Sequence, residues 1–177
     1  MQKFKNRNKN DINNNSNIYI TSSKKFYSLT ESKVKEKNSF YFQNIIIDSN
    51  IMRHLMSFSL DRIETLYFVD CNFQDLNILS TINHCKNLGF IRCGLYLEDI
   101  EYLLEWIKDW ENLDTLDLSG NKIGMSEKEF FKWLNLNLWN RVHINNFILS
   151  ENGFSEEFED RMEKHNNIYH CFEEIVF

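Results

Sequence analysis

The 177-residue chain carries 20 Lys and Arg against 26 Asp and Glu, a formal charge of -6, with 42% apolar and 15% aromatic residues. That is enough for one domain with a sizeable core, and the fifteen Phe, seven Tyr and four Trp must fill it, because there is no Pro and no Ala. No run of eighteen apolar residues exists, which excludes a membrane-spanning helix as a reading of this sequence.

The N-terminal MQKFKNRNKNDINNNSNIYI lacks the apolar stretch of a secretory signal. Residues 1–16 read as a disordered, basic, Asn-rich tail. Residues 17–39 read as an N-terminal cap or linker, with IYI (18–20) as a capping strand and FYSLTESKVKEKNSF as a basic amphipathic helix. Charge divides at the same place. Residues 1–37 hold nine basic and three acidic residues, and the remainder holds eleven against twenty-three, so a basic arm precedes an acidic body.

From residue 40 to 177 one pattern recurs, an apolar series at spacings of three, two, three and two with Asn or Cys fourth. In chain order it falls on Phe42, Ile45, Ile47, Asn50 and Met52, and then on Ile63, Leu66, Phe68, Cys71 and Phe73. It returns on Cys85, Leu88, Phe90, Cys93 and Leu95, on Leu113, Leu116, Leu118, Asn121 and Ile123, and on Ile144, Phe147, Leu149, Asn152 and Phe154. Phe172, Ile175 and Phe177 begin a sixth copy. The Asn/Cys positions stand at intervals of 21, 22, 28 and 31.

Between the copies lie segments with helical spacing. QDLNILSTINH is one; YLEDIEYLLEWIKDW, with Ile100, Leu103, Leu104 and Ile107 on one face, is another. SEKEFFKWLNLNLW opens on a capping signature, Ser126 followed three residues later by Glu129, and SEEFEDRMEKH opens on Ser155 with acids in its first turn.

The pattern has a physical cause. Two apolar residues at spacing two point to one side of a short strand. An Asn or Cys three residues later stands where the chain leaves the strand and can satisfy backbone groups that would otherwise be buried unpaired. One such unit cannot bury its own face, so neighbours must stack. Residues 40–177 thus resemble the leucine-rich repeat family, in its ribonuclease-inhibitor-like form. The resemblance implies an α/β solenoid of five to six repeats, with short parallel strands on the concave face and helices on the convex face. A narrower resemblance lies in IDSNIM and IETLYFVDC, through Ile47, Asp48, Ile51, Met52, Ile63, Glu64 and Cys71. These are similar to the mitochondrial ATP synthase coupling factor B family, which implies an ATP-synthase-associated subunit.

Nothing in the chain announces catalysis. The four Cys form no C-x-x-C pair, and Cys71, Cys85 and Cys93 all fall on repeat positions, so they read as structural thiols in a reducing compartment. The histidines (His54, His84, His143, His165, His170) are scattered, and no phosphate-binding, dinucleotide or metalloprotease motif is present. No cofactor or metal is expected. The expected function is a non-enzymatic interaction module, an adaptor or a subunit of a larger assembly, intracellular and most simply cytoplasmic, with the nucleus and the mitochondrion as the alternative compartments.

Its binding surface should be the concave face, where the outward strand residues form columns. The central column reads Ile46, Tyr67, Gly89, Asp117, Ile148 and Val176. Beside it run Asp48, Val69, Ile91, Ser119 and Ser150, and then Ser49, Asp70, Arg92, Gly120 and Glu151. The expected contact residues are Asp48, Tyr67, Val69, Asp70, Ile91, Arg92, Asp117, Ser119, Ile148 and Glu151. They form an apolar centre with an acidic edge, suited to a protein partner with basic residues. A separate reading gives the function to the arm, with Lys3, Lys5, Arg7, Lys9, Lys24 and Lys25 binding RNA or another anionic surface.

Overall fold

Strand alternation and the turns that end it build most of this molecule. The computed structural model describes residues 16–58, 63–82, 85–107, 110, 113–137 and 144–177. Seven strands form one parallel sheet: β1 (Asn17–Ile20), β2 (Ser39–Gln43), β4 (Thr65–Val69), β6 (Asn87–Ile91), β7 (Thr115–Asp117), β8 (Ile144–Ile148) and β9 (Phe172–Val176). They lie side by side in the order in which they follow along the chain, β1 and β9 forming the two edges. Two further two-residue strands, β3 (Ile46–Ile47) and β5 (Asn72–Phe73), pair in parallel beyond the ends of β2 and β4.

Helices fill the returns: α1 (Ser23–Tyr27), α2 (Glu31–Val34), α3 (Ser49–Met56), α4 (Leu97–Ile107), α5 (Glu127–Asn137) and α6 (Glu156–Tyr169). The return after β5 is a 3-10 helix, Leu76–Thr81, and a second one, Ile123–Ser126, leads into α5. The architecture is therefore α/β, a seven-stranded parallel sheet and a small two-stranded one with helices.

One face of the sheet is the core. Phe40, Leu66, Leu88, Leu116 and Phe147 stand in register along it, all fully buried. A second row, Phe42, Phe68 and Phe90, stacks ring on ring at 5.3 and 5.4 Å. Against these rows pack Ile51 and Leu55 of α3, Ile100, Leu103, Leu104 and Ile107 of α4, Phe130 and Leu134 of α5, and Phe158 and Met162 of α6. The helical spacing expected of YLEDIEYLLEWIKDW is the spacing that α4 buries.

The strands end alike. Asn44, Asp70, Arg92, Gly120 and Glu151 all have φ between 50° and 69°, a left-handed turn that for a non-glycine residue costs about 1 to 2 kcal/mol. The turn is held laterally. The N–H of Asn44, Asp70, Arg92 and Gly120 each donates to a carbonyl at the end of the next strand (Val69, Ile91, Ser119 and Ser150), at 2.8 to 3.0 Å.

Behind the turns the Asn/Cys positions form an internal ladder. Asn121 is 4% exposed, and its Nδ2 donates to the Phe90 and Leu118 carbonyls at 2.7 Å each. Its Oδ1 accepts from the Cys93 and Leu95 amides at 3.1 Å each. Asn152 Nδ2 donates to Leu118 O at 3.0 Å and Leu149 O at 2.7 Å. Cys93 stands in the same place one unit earlier, its thiol donating to Phe68 O at 3.4 Å, and Cys71 donates to Val69 O at 3.5 Å. Burial pushes the Cys85 and Cys93 thiols up to about 12 and raises Cys71, which keeps all three protonated at neutral pH.

Three expectations change. The first repeat is framed five residues earlier than its apolar residues suggested. Phe40 and Phe42 lie beside Leu66 and Phe68, Ile47 pairs with Phe73, and Asn50 lies in the first turn of α3 instead of closing a turn. A run of three isoleucines satisfied the apolar positions out of frame, while Asn44 holds the left-handed turn. Secondly, residues 26–40 are not one helix; α1 and α2 are separated at Leu29 and Thr30, and Ser39 already belongs to β2. The IYI segment is a strand, as expected, and Ile20 pairs with Phe42. Thirdly, Ser126 does not cap α5, because the preceding 3-10 turn runs straight into it. The first-turn Glu127 instead accepts from the Ser155 amide, and from Ser155 Oγ at 2.8 Å. Ser155 does cap α6, accepting from Phe158 N at 3.2 Å.

Candidate interaction surface

The opposite face of the sheet carries the alternate residues of every strand. Register makes its central column Tyr19, Tyr41, Tyr67, Gly89, Asp117, Ile148 and Val176. The three tyrosines stack: Tyr19 on Tyr41 at 4.9 Å and 17° between ring planes, and Tyr41 on Tyr67 at 5.6 Å and 29°. Such stacking is worth about 0.5 to 1.5 kcal/mol per pair beyond the area buried. The stack ends against Gly89, where an added Cβ would lie 2.4 Å from Tyr67 Cδ1. The glycine is what lets the last ring lie down on its neighbour. Tyr19, at the open end of the stack, is 52% exposed.

Beside the tyrosines runs a column of small uncharged polar residues, Asn17, Ser39, Thr65, Asn87, Thr115 and Asn146, which Glu174 completes. Asn87 Nδ2 donates to Thr65 Oγ1 at 3.2 Å, and Asn146 Nδ2 to Thr115 Oγ1 at 3.4 Å. The rim cations are engaged. Lys86 reaches Glu64 at 2.9 Å, and Arg92 makes a two-pronged contact with Asp70 at 2.8 and 3.0 Å.

Of the residues expected on this face, Tyr67, Val69, Ser119 and Ile148 are half-buried on it, and Glu151 is exposed at its edge. Asp70 and Arg92 stand at the turns as an ion pair. Three others do not serve as expected. Asp48 is the N-cap of α3, its carboxylate accepting from Asn50 N at 3.0 Å and Ile51 N at 2.8 Å, so it leaves the face altogether. Ile91 is 3% exposed and has no surface to offer.

Asp117 is 7% exposed and turns to Ser119, accepting from its amide at 3.0 Å and its hydroxyl at 2.5 Å. Burial lifts its carboxyl above the ordinary aspartate range, against the smaller opposing pull of the Ser119 hydrogen bonds and Arg92. The acidic edge thus shrinks, and Ile46 gives its place in the central column to Tyr41.

Tyr19 and Tyr41 had a signal in the sequence. IYI, FYF and LYF place a tyrosine between two apolar residues at 19, 41 and 67, the same phase of three strands. Spacing from the assumed Asn50 turn hid it.

Elsewhere, His54 sits among Phe26, Tyr27 and Phe58 with centroids 5.0 to 5.5 Å away, its Nε2 buried without a hydrogen-bond partner. His84 and His143 lie outside the described residues, as do Lys3, Lys5, Arg7 and Lys9 of the arm. Of the arm cations within them, Lys24 and Lys25 belong to α1, and Lys25 Nζ donates to Tyr19 O at 2.9 Å. Among the described residues no group of three His, Cys, Asp or Glu is placed to hold a metal ion. No helix among them is long and apolar enough to cross a membrane. No protein-family model matches the chain, and no curated protein matches it in sequence.

Proposed function

We propose that the chain is a short leucine-rich-repeat solenoid that works as a non-enzymatic interaction module, an adaptor or assembly subunit. It holds another protein on the face turned away from its core. The strand order, the repeated left-handed turn and the buried Asn/Cys ladder all support the repeat reading.

The observation that carries the binding reading is the stack of Tyr19, Tyr41 and Tyr67 on that face. Rings stacked on one another are already ordered, so a partner that covers them costs them little further conformational freedom. Tyrosine adds a hydrogen-bonding hydroxyl to a large apolar body, which is why it dominates the centres of protein contacts.

The test is an affinity pull-down from the native cell with wild type, a Tyr19→Ser/Tyr41→Ser/Tyr67→Ser variant and a Met125→Ser/Leu136→Ser control. The two control residues are exposed apolar side chains off the sheet, 80% and 67% exposed. A polypeptide retained by wild type and control but lost with the tyrosines is the expected result. Retention by all three would place binding elsewhere.

A further inference from the structure

Charge is unevenly spread across the same face, and this bears on what the partner must look like. The tyrosine end, β1 to β4, is bordered by Asn17, Ser39 and Thr65, and the acids near it, Glu64 and Asp70, are matched by Lys86 and Arg92. The far end differs. Glu174 stands in the polar column of β9, Glu173 lies off that column at the rim, in the register of the Glu64–Lys86 pair, and Glu151 stands at the turn after β8, all three exposed. Between the two ends the surface flattens, at Gly89 and at Asp117, whose carboxylate is folded back onto Ser119.

We propose that this face takes an extended polypeptide segment lying across the strands. Aromatic or large apolar side chains of the segment sit over Tyr19, Tyr41 and Tyr67, and Lys or Arg side chains sit over Glu151, Glu173 and Glu174. The inference rests on the reading that the face binds protein, and adds the partner's chemistry and direction. Neighbouring strands lie about 4.8 Å apart, so seven strands span about 29 Å, which an extended chain crosses in about nine residues. The centre of the tyrosine stack and the acidic end are four to five strands apart, about 21 Å, so the basic residues follow the apolar ones by roughly six or seven positions.

Two other partner classes fit worse. A nucleic acid would bring phosphates against the three exposed glutamates. A sugar platform needs ring faces open to solvent, and here the faces of Tyr41 lie against Tyr19 and Tyr67.

The experiment pans a random twelve-residue peptide library against the full chain, against Glu151→Lys/Glu173→Lys/Glu174→Lys, against the triple tyrosine variant, and against the chain lacking residues 1–15. Circular dichroism confirms that each is folded. Wild type should enrich peptides with an aromatic or large apolar residue separated by about six positions from Lys or Arg. The charge-reversed chain should bind those peptides at least about tenfold more weakly at low salt, a gap that narrows as salt screens it, and should itself select acids in their place.

Selection that depends on the tyrosines but is blind to charge reversal would overturn this inference and leave the binding reading standing. Selection indifferent to both sets would overturn both. Enrichment only after residues 1–15 are removed would assign the face to the chain's own basic segment, and would equally overturn the assignment to a partner.

Discussion

Asn121 is the residue on which two neighbouring units are pinned together. Its one amide satisfies two carbonyls and two N–H groups, all across or at the turn. Each group left unpaired in a buried place costs about 1 to 3 kcal/mol, so Asn121→Ala should lose at least about 3 kcal/mol in a urea melt. Asn121→Asp, which keeps the acceptor but turns an oxygen toward Phe90 O and Leu118 O, should rescue little of that. A loss below about 1 kcal/mol would mean the ladder is not a support.

Asp117 makes a second prediction at this scale, with the opposite economy. Its folded-state carboxyl lies above its unfolded value because burial disfavours the charge. The folded chain therefore binds this proton more tightly, so the contribution to stability is full below the ordinary aspartate range and is lost as pH rises through the folded value. Asp117→Asn should flatten the fall of stability with pH over that window while keeping an acceptor for Ser119. An unchanged slope in pH-dependent melts would contradict it.

At the level of the strand and its turn, a glycine decides whether the tyrosine stack can exist. Gly89→Ala puts a methyl into the space that the Tyr67 ring occupies. The ring must tilt, the stack with Tyr41 opens, and the near-ultraviolet dichroism of the coupled tyrosines should fall. Stability should change by about 1 kcal/mol or less, because only a half-buried ring moves. An unaltered spectrum would mean that Tyr67 does not rest on residue 89.

The same scale shows what sequence can carry. The repeat was legible from Leu66 onward because strand alternation and turn residue coincide there, each excluding a shifted frame. In the first unit they did not coincide. FYF and III are both apolar enough to be the strand, and the left-handed Asn44 is no more marked in sequence than Asn50. A frame set by Asn50 moves Ile46 and Asp48 onto the candidate face and leaves out Tyr19 and Tyr41. Burial of Ile91 and Asp117 is a property of the assembled sheet, which no single unit's spacing expresses.

Over the whole molecule, the proposed solenoid has each unit touch its neighbours through the sheet and the helix layer, so stability should pass along the chain step by step. The aromatic stack of Phe42, Phe68 and Phe90 holds one half, and Phe130, Phe154 and Phe158 hold the other. Leu116 stands between them, fully buried in β7. Leu116→Ala should cost about 2 to 5 kcal/mol, and where it acts matters as much as how much. Backbone hydrogen exchange, read segment by segment through a urea titration, reports the strands before Leu116 (β1 to β6) and those after it (β8 and β9) as two separate signals.

In wild type the two signals should melt together, since the central interface couples the halves. In Leu116→Ala that interface is the weak one, and the two transitions should separate. Coincident transitions at an unchanged midpoint would mean that Leu116 is not at the joint. Coincident transitions at a lowered midpoint would mean that the molecule unfolds as one unit and the step-by-step description fails.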